Sequence, residues 1–378
     1  MPFAKAAKEL AFVLKVAVSE PTTRRYVEAA GKAYEAYQTA EVERLEKTCP
    51  PVQPNPHRIF LSVDGAMVPL VGGQWAEVKT MTIGELEKPV LERGEWVVHS
   101  QNHSYFSRIA ESSQFRRLAL VETQARSIEK AKVVAAVTDG AEWEQGFLDF
   151  HCPQAVKILD FPHAAERVSQ IGQALWGEES EQTKQWLADQ LHQLKQEGPS
   201  GLLSEIAALR NQQPRVEIVQ KNQAYLEKRL EHMQYPDYRA QHLPIASGAM
   251  ESGNKVVVEA RLKGAGMHWA LPHVNPMLAL RNLLCSERWQ AGWQHITRTL
   301  RQQEQQRRKQ LHQTHKRNTQ EELPQPPIHS QRLEPTPLPQ PLPVAPHPQS
   351  SIPAPNHPWR RSPIGKARFW PNSLYSKN

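Results

Sequence analysis

Three carboxylates stand where metal-dependent phosphodiester chemistry would need them. Asp64 lies in RIFLSVDGAMVPL, Asp139 in KVVAAVTDGAEW and Glu251 in IASGAMESGNKVVV. Each aspartate closes an apolar, strand-like run with an Asp-Gly pair, and the glutamate follows far downstream among small and polar residues. A catalytic pair of hard divalent cations requires oxygen ligands on rigid elements. A local metal loop keeps its ligands within about a dozen residues, so only a fold could unite these three. Plainer readings exist for each. Asp-Gly also ends strands as a simple turn, and Glu251 with Lys255 four residues on suits a salt-bridged surface helix.

Further groups accompany the three. Asp160 and His163 in ILDFPHAAERV follow another strand-like run, which places them beside such a site; a histidine at a helix start also suits packing on a sheet. Around Glu251 the β-branched run Val256–Val258 lowers helix propensity, so helix and strand both remain open there. Arg261, Lys263, a Gly-Ala-Gly joint and Trp269 come next. A basic pair and an aromatic ring suit a single-stranded nucleic-acid end, with the indole stacked on a base. Trp269 suits a core position equally well.

Composition removes several alternatives. Cys49, Cys152 and Cys285 are isolated and odd in number, which gives neither a disulfide framework nor a zinc pattern and fits a reducing cytoplasm. There is no Walker loop, no dinucleotide glycine fingerprint and no nucleophile elbow. No apolar run reaches the roughly 18 residues of a membrane span. The opening apolar stretch is interrupted by Glu9 and Lys15 and reads as an amphipathic helix, not a signal peptide. The net charge of +7 and pI near 9.2 favour a polyanionic partner, although many soluble proteins are simply basic.

The elements that must position these groups can be outlined. Residues 1–50 form an N-terminal helical region broken near Pro21, capped by Thr22 or Thr23. Its Arg24 and Arg25 suit either DNA contact or a packing role. After the proline-rich linker TCPPVQPNP, residues 57–165 read as α/β: strands at RIFLSVDG, WAEVKTMTIGEL and EWVVHSQNHSYF, a helix over SSQFRRLALVETQARSIEKA, then strands at KVVAAVTDG and QAVKILDFPH. Residues 166–245, rich in Leu, Gln, Glu and Lys, read as an all-helical insert before the chain returns over 246–287. Residues 288–320 form a basic helix in which Arg298, Arg301, Arg307, Arg308, Lys309, Lys316 and Arg317 face only Glu304. Scattered cations of this kind suit contact with phosphates without base reading, and suit a solvated surface helix as well. In residues 321–378 prolines crowd the first part and PWRRSPIGKARFW closes the second, which predicts a disordered tail dispensable for chemistry.

Several segments together resemble one family. DGAMVP, EVKT, TDGAEW, ILDFPHAAE, MESGNKVVVEARLKGAGMHW and the late NHPWRR are similar to bacterial insertion-sequence transposases of the ISKra type, related in plan to Mutator-like transposases. The resemblance covers roughly residues 5–290 and is most specific around Glu251. It implies a ribonuclease H-like mixed sheet with a helical insert, and an Asp-Asp-Glu triad falling on Asp64, Asp139 and Glu251 that holds two Mg2+ or Mn2+ ions. Asp160, His163 and Lys255 become accessory residues near the site. The implied partners are the DNA of element ends and target, met by Arg261, Lys263, Trp269, Arg301, Arg307, Arg308 and Lys309 in a dimer or higher oligomer within the bacterial cytoplasm. Family members usually carry a cysteine-paired, zinc-binding region at the N-terminus, and this chain begins after that point, as a truncated copy would. A two-metal nuclease or resolvase of the same fold, or an inactive DNA-binding copy, would share much of this pattern.

Overall fold

In a computed structural model the protein is described over residues 2–92, 94–212 and 216–321. The expected disordered tail lies outside the described residues, apart from the end of the last helix. Helices α1 (Phe3–Leu14) and α2 (Glu20–Thr48) precede strands β1 (Asn55–Pro69) and β2 (Trp75–Leu86), the hairpin β3 (Val90–Glu92) and β4 (Glu95–Val97), and β5 (Ser100–Arg108). Two short helices, α3 (Ser112–Leu118) and α4 (Leu120–Ala125), lead to β6 (Ala131–Thr138), α5 (Glu142–His151) and β7 (Val156–Leu159). Helices α6 (Phe161–Trp176), α7 (Glu181–Glu197), α8 (Pro199–Gln212), α9 (Glu217–Glu227) and α10 (Tyr235–Ala240) follow. The chain then returns through α11 (Gly248–Asn254), a π turn (Lys255–Glu259), α12 (Ala260–Leu262), α13 (Val274–Cys285) and α14 (Trp289–Glu321).

The five-stranded sheet has the order β5-β2-β1-β6-β7. β5, β2 and β1 are antiparallel neighbours, whereas β6 runs parallel to β1 and β7 parallel to β6. The tight β1–β2 connection uses Gly72 and Gly73, both at positive φ (85° and 74°), a region that costs glycine little. The parallel β6–β7 crossover requires a helix, and α5 supplies it.

Strand alternation builds two cores. Phe60, Ala135, Val137 and Ile158 face the helical insert, where Val168, Ile171, Leu202, Ile206 and Tyr235 cover them. Ile59, Leu61, Val63, Val134 and Ala136 face the other way, onto Phe115, Phe147 and Leu148. A third core joins the far half of β1 and β2 to α13, through Val68, Val78, Val258, Trp269 and Leu278.

Local expectations are adjusted in several places. EWVVHSQNHSYF splits into β4 and β5, and only β5 joins the main sheet. The single helix expected after it is α3, α4 and a short 3-10 turn. Ser19, not Thr22 or Thr23, caps α2: its Oγ accepts the Thr22 amide at 3.3 Å, and Pro21 sits in the first turn, where no amide is needed. α2 packs through Ala30 and Ala33 near Leu283 of α13, so this N-terminal element is at least a packing element. Residues 166–245 contain only helices and turns among the described residues. The β-branched run after Glu251 is helical because Val257 and Val258 are fully buried, and burial outweighs a propensity cost of a few tenths of a kcal/mol per residue. No described helix is long and apolar enough to cross a membrane.

One buried group in this scaffold sets an acid limit on stability. His151, at the end of α5, donates from Nε2 to the Arg116 carbonyl at 2.8 Å and meets the Thr123 hydroxyl at 3.2 Å through Nδ1. Burial lowers its pKa from 6.5 to about 4. The fold therefore holds it neutral where the unfolded chain would protonate, and stability is lost as pH falls from about 6.5 through 4. The loss should reach about 3 kcal/mol near pH 4. Denaturant unfolding of wild type and His151→Gln across that window should show the variant with a slope smaller by about one proton. Equal slopes would contradict this assignment.

Candidate metal centre

The register of the sheet brings the two aspartates together. Leu61 of β1 pairs with Ala136 of β6, so Asp64 and Asp139, each three residues further on, fall on the same row. Asp64 is not the end of its strand, as the sequence suggested, because β1 continues beside β2 as far as Pro69. It is instead the point where β1 outruns β6, at the C-terminal end of the parallel pair. Thr138 pairs with Leu159 of β7, which extends the row to Asp160. Crevices beyond the carboxyl ends of parallel strands are the usual ligand sites of open α/β sheets.

The centre consists of Asp64, Asp139 and Glu144, whose carboxylate oxygens lie within 4.8 Å of one another. Glu144 comes from the first turn of α5 and was not singled out from the sequence. Its signal is the short distance from TDG to a helix start, where a glutamate can turn back onto exposed amides. Glu144 Oε2 accepts the Gly140 and Ala141 amides, both at 3.1 Å, and Asp139 Oδ1 accepts the Ala141 amide at 3.0 Å. Asp64 accepts the Gly65 amide at 2.6 Å on Oδ1 and the Asn254 Nδ2 at 2.8 Å on Oδ2.

The helical insert clamps this loop from above. The Tyr225 hydroxyl donates to the Asp139 carbonyl, and Arg229 Nε donates to the Gly140 carbonyl at 3.0 Å while stacking on Tyr225 at 3.7 Å. Gly140 has φ +82°, which favours glycine, and a Cβ there would push aside the Arg229 side chain, whose Nε it would meet at 2.3 Å. Tyr225 and Arg229 could not be singled out in sequence, since nothing local distinguishes them from other residues of an amphipathic helix.

Crowding three carboxyl groups separates their proton affinities. Burial pushes Glu144 up to about 10, reinforced by the hydrogen bond and charge of Asp139. Burial also pushes Asp139 upward, but its hydrogen bonds with Glu144 and the Ala141 amide, with His163 and Arg229 nearby, outweigh this and hold it below the ordinary aspartate value. Asp64 is raised by burial and by Asp139; the Gly65 amide, His163 and Asn254 offset this only in part. At neutral pH the metal-free centre thus holds a neutral Glu144 hydrogen-bonded to a charged Asp139. A divalent cation bound there would offset the crowded negative charge and displace the Glu144 proton. The donor set fits such an ion, since its oxygens are hard and octahedral ligands at 2.0–2.1 Å stand roughly 3–4 Å apart.

Glu251, the third expected ligand, is outside this cluster. It lies on α11, its side chain is 64% exposed, and it pairs with Lys255 at 3.8 Å. It is nevertheless one helical turn from Asn254, which touches Asp64 directly. Asp160 is 1% exposed and accepts the Ser247 amide at 2.7 Å, which anchors the start of α11. Burial raises its pKa, partly offset by that amide and by His163, whose Nε2 stands 3.8 Å from Oδ2. Asp160 and His163 therefore border the centre, with Asp160 holding the returning chain in place.

The residues expected to meet nucleic acid are dispersed. Trp269 is 7% exposed in the third core, with Arg261 over its face at 4.7 Å and Phe3 against it edge-on at 6.4 Å. Its ring is covered, so the expected stacking on a base is corrected to a packing role. Lys263 pairs with Glu259 at 2.8 Å. Arg301, Arg307, Arg308 and Lys309 are exposed on α14, where Glu304 engages Arg307 at 3.2 Å and Arg308 at 2.8 Å. Compared with known proteins, the chain matches no family model and no curated protein.

Proposed function

We propose that this chain is a DNA transposase with a ribonuclease H-like core, which cleaves and joins phosphodiesters at the centre formed by Asp64 and Asp139. The observation that carries this reading is convergence. Two aspartates from distant Asp-Gly segments sit on one row of adjacent parallel strands, with a third carboxyl group against them. Carboxylates so crowded repel one another, which disfavours them as packing and suits them to hold cations. Three antiparallel strands followed by two parallel ones agree with the plan of that core, as does a helical insert between Asp139 and Glu251.

Two Mg2+ or Mn2+ ions bound there would activate the attacking hydroxyl and stabilise the leaving oxygen. Asp64 and Asp139 would hold them, with Glu144 in the DNA-free protein and Glu251 as the ligand the family resemblance implies. Asn254, Tyr225 and Arg229 orient the aspartates, and Asp160 anchors α11 beside them. The test is a Mn2+-dependent reaction on labelled duplexes carrying the genomic sequences that flank the reading frame. Joined products are expected. Nicking without joining would support a nuclease or resolvase, and neither product would overturn the enzymatic reading.

The basic helix supplies a separate prediction. Surface pairs such as those with Glu304 are worth at most about 1 kcal/mol and yield readily to phosphates. Replacing Arg301, Arg307, Arg308 and Lys309 with glutamine should weaken binding to unrelated duplexes about equally. It should also flatten the plot of log affinity against log salt by about three to four units, one per lost phosphate contact. If affinity and slope are both unchanged, α14 is not a DNA contact.

A further inference from the structure

The Asp64 carboxylate is held by a side chain that the acidic pattern does not reveal. Asn254 ends α11, immediately before the π turn Lys255–Glu259, and is 7% exposed. Its Nδ2 donates to Asp64 Oδ2 at 2.8 Å, while its Oδ1 is buried with no hydrogen-bond partner. A buried amide oxygen left without a donor costs about 1–3 kcal/mol. Among the described residues Asp64 is the side-chain partner that Asn254 has, and this contact accounts for a polar group in this place. π turns inside α-helices also concentrate at functional sites.

We propose that Asn254 is a positioning residue for cation binding. Its amide fixes the plane of the Asp64 carboxylate, so that the oxygens presented to a divalent cation are set before the ion arrives, and it couples that carboxylate to α11. The inference rests on the metal-centre reading of the proposed function. Without Asn254, Asp64 keeps only the Gly65 amide and must be ordered by the ion itself, at the expense of affinity. Losing a side chain that orients a metal ligand typically lowers affinity 10–100-fold.

The test is calorimetric titration of Mn2+ into the DNA-free full chain. Asn254→Ala should bind Mn2+ at least about tenfold more weakly than wild type, with an unchanged number of sites. Asn254→Asp replaces the donor by a further carboxylate. It should unfold at lower temperature in EDTA and recover through a larger Mn2+-induced rise in Tm than wild type shows. Circular dichroism in EDTA confirms that each variant is folded, and if Asn254→Ala fails to fold, the Asn254→Asp comparison decides. Asn254→Ala binding Mn2+ as tightly as wild type, or Asn254→Asp showing no larger rise in Tm, would overturn the inference while leaving the metal centre standing. A wild-type chain that binds no Mn2+ would remove the centre itself, and the inference with it.

Discussion

Replacing Asp64 or Asp139 with asparagine is expected to lower Mn2+-dependent DNA cleavage by about a thousandfold or more, while DNA affinity stays within a few-fold of wild type. Asparagine has the same shape and still accepts the Gly65 or Ala141 amide, so the local backbone is retained. What it loses is the negative charge that, under the proposed function, would hold a cation worth several kcal/mol of transition-state stabilisation. The same assay addresses the third ligand. Glu251→Gln is expected to abolish cleavage as well, since α11 is anchored beside Asp64 through Asn254 and through the Asp160–Ser247 bond. A Glu251→Gln variant as active as wild type would instead leave Glu144 as the third carboxylate. An Asp64→Asn or Asp139→Asn variant within tenfold of wild type would exclude the centre from the chemistry.

The second large effect separates stability from metal binding at Glu144. Its pKa of about 10 in the fold stands well above the 4.5 of an ordinary glutamate. The metal-free fold therefore keeps a proton that the unfolded chain releases, and its stability falls as pH rises from about 4.5 towards 10. Glutamine mimics the protonated group: its carbonyl can accept the Gly140 and Ala141 amides, and its NH2 can face Asp139. Glu144→Gln should therefore be more stable than wild type in EDTA at pH 8, by at least about 1 kcal/mol, with a flatter pH dependence. The same variant should lose Mn2+ affinity by about a hundredfold. Denaturant unfolding at pH 6 and pH 8, with calorimetry in two buffers of different ionisation enthalpy, reads both effects. Wild-type binding should release about one proton, and the variant should release none. A variant less stable than wild type at pH 8 would show that Glu144 is charged in the metal-free fold.

Much of the scaffold was legible in the amino-acid sequence because it follows from short-range periodicity. β2 spans the WAEVKTMTIGEL segment, and β6 stops at Thr138, just before the expected Asp-Gly pair. Residues 166–245 lack the β-branched alternation that a strand needs, and they form only helices and turns among the described residues. Two members of the centre, Asp64 and Asp139, could be picked out because two Asp-Gly pairs each follow an apolar run in one chain, although a lone pair of this kind more often marks a simple turn.

Tertiary structure decided the rest, and in each case the physical cause lies between distant segments. The shared register of β1 with β6 places Asp64 beside Asp139, and these parallel strands are joined by no tight turn that would fix that register locally. Glu144 enters the centre because α5 starts directly beneath the Asp139 loop and turns the carboxyl group inward. Trp269 is buried because Arg261 and Phe3 cover it, although its neighbourhood of basic residues and glycines suited an exposed ring. The Val256–Val258 run became helical because Val257 and Val258 fill a core, which a propensity scale cannot anticipate. Asn254 could not be distinguished from any other polar helix residue until folding set its amide against Asp64.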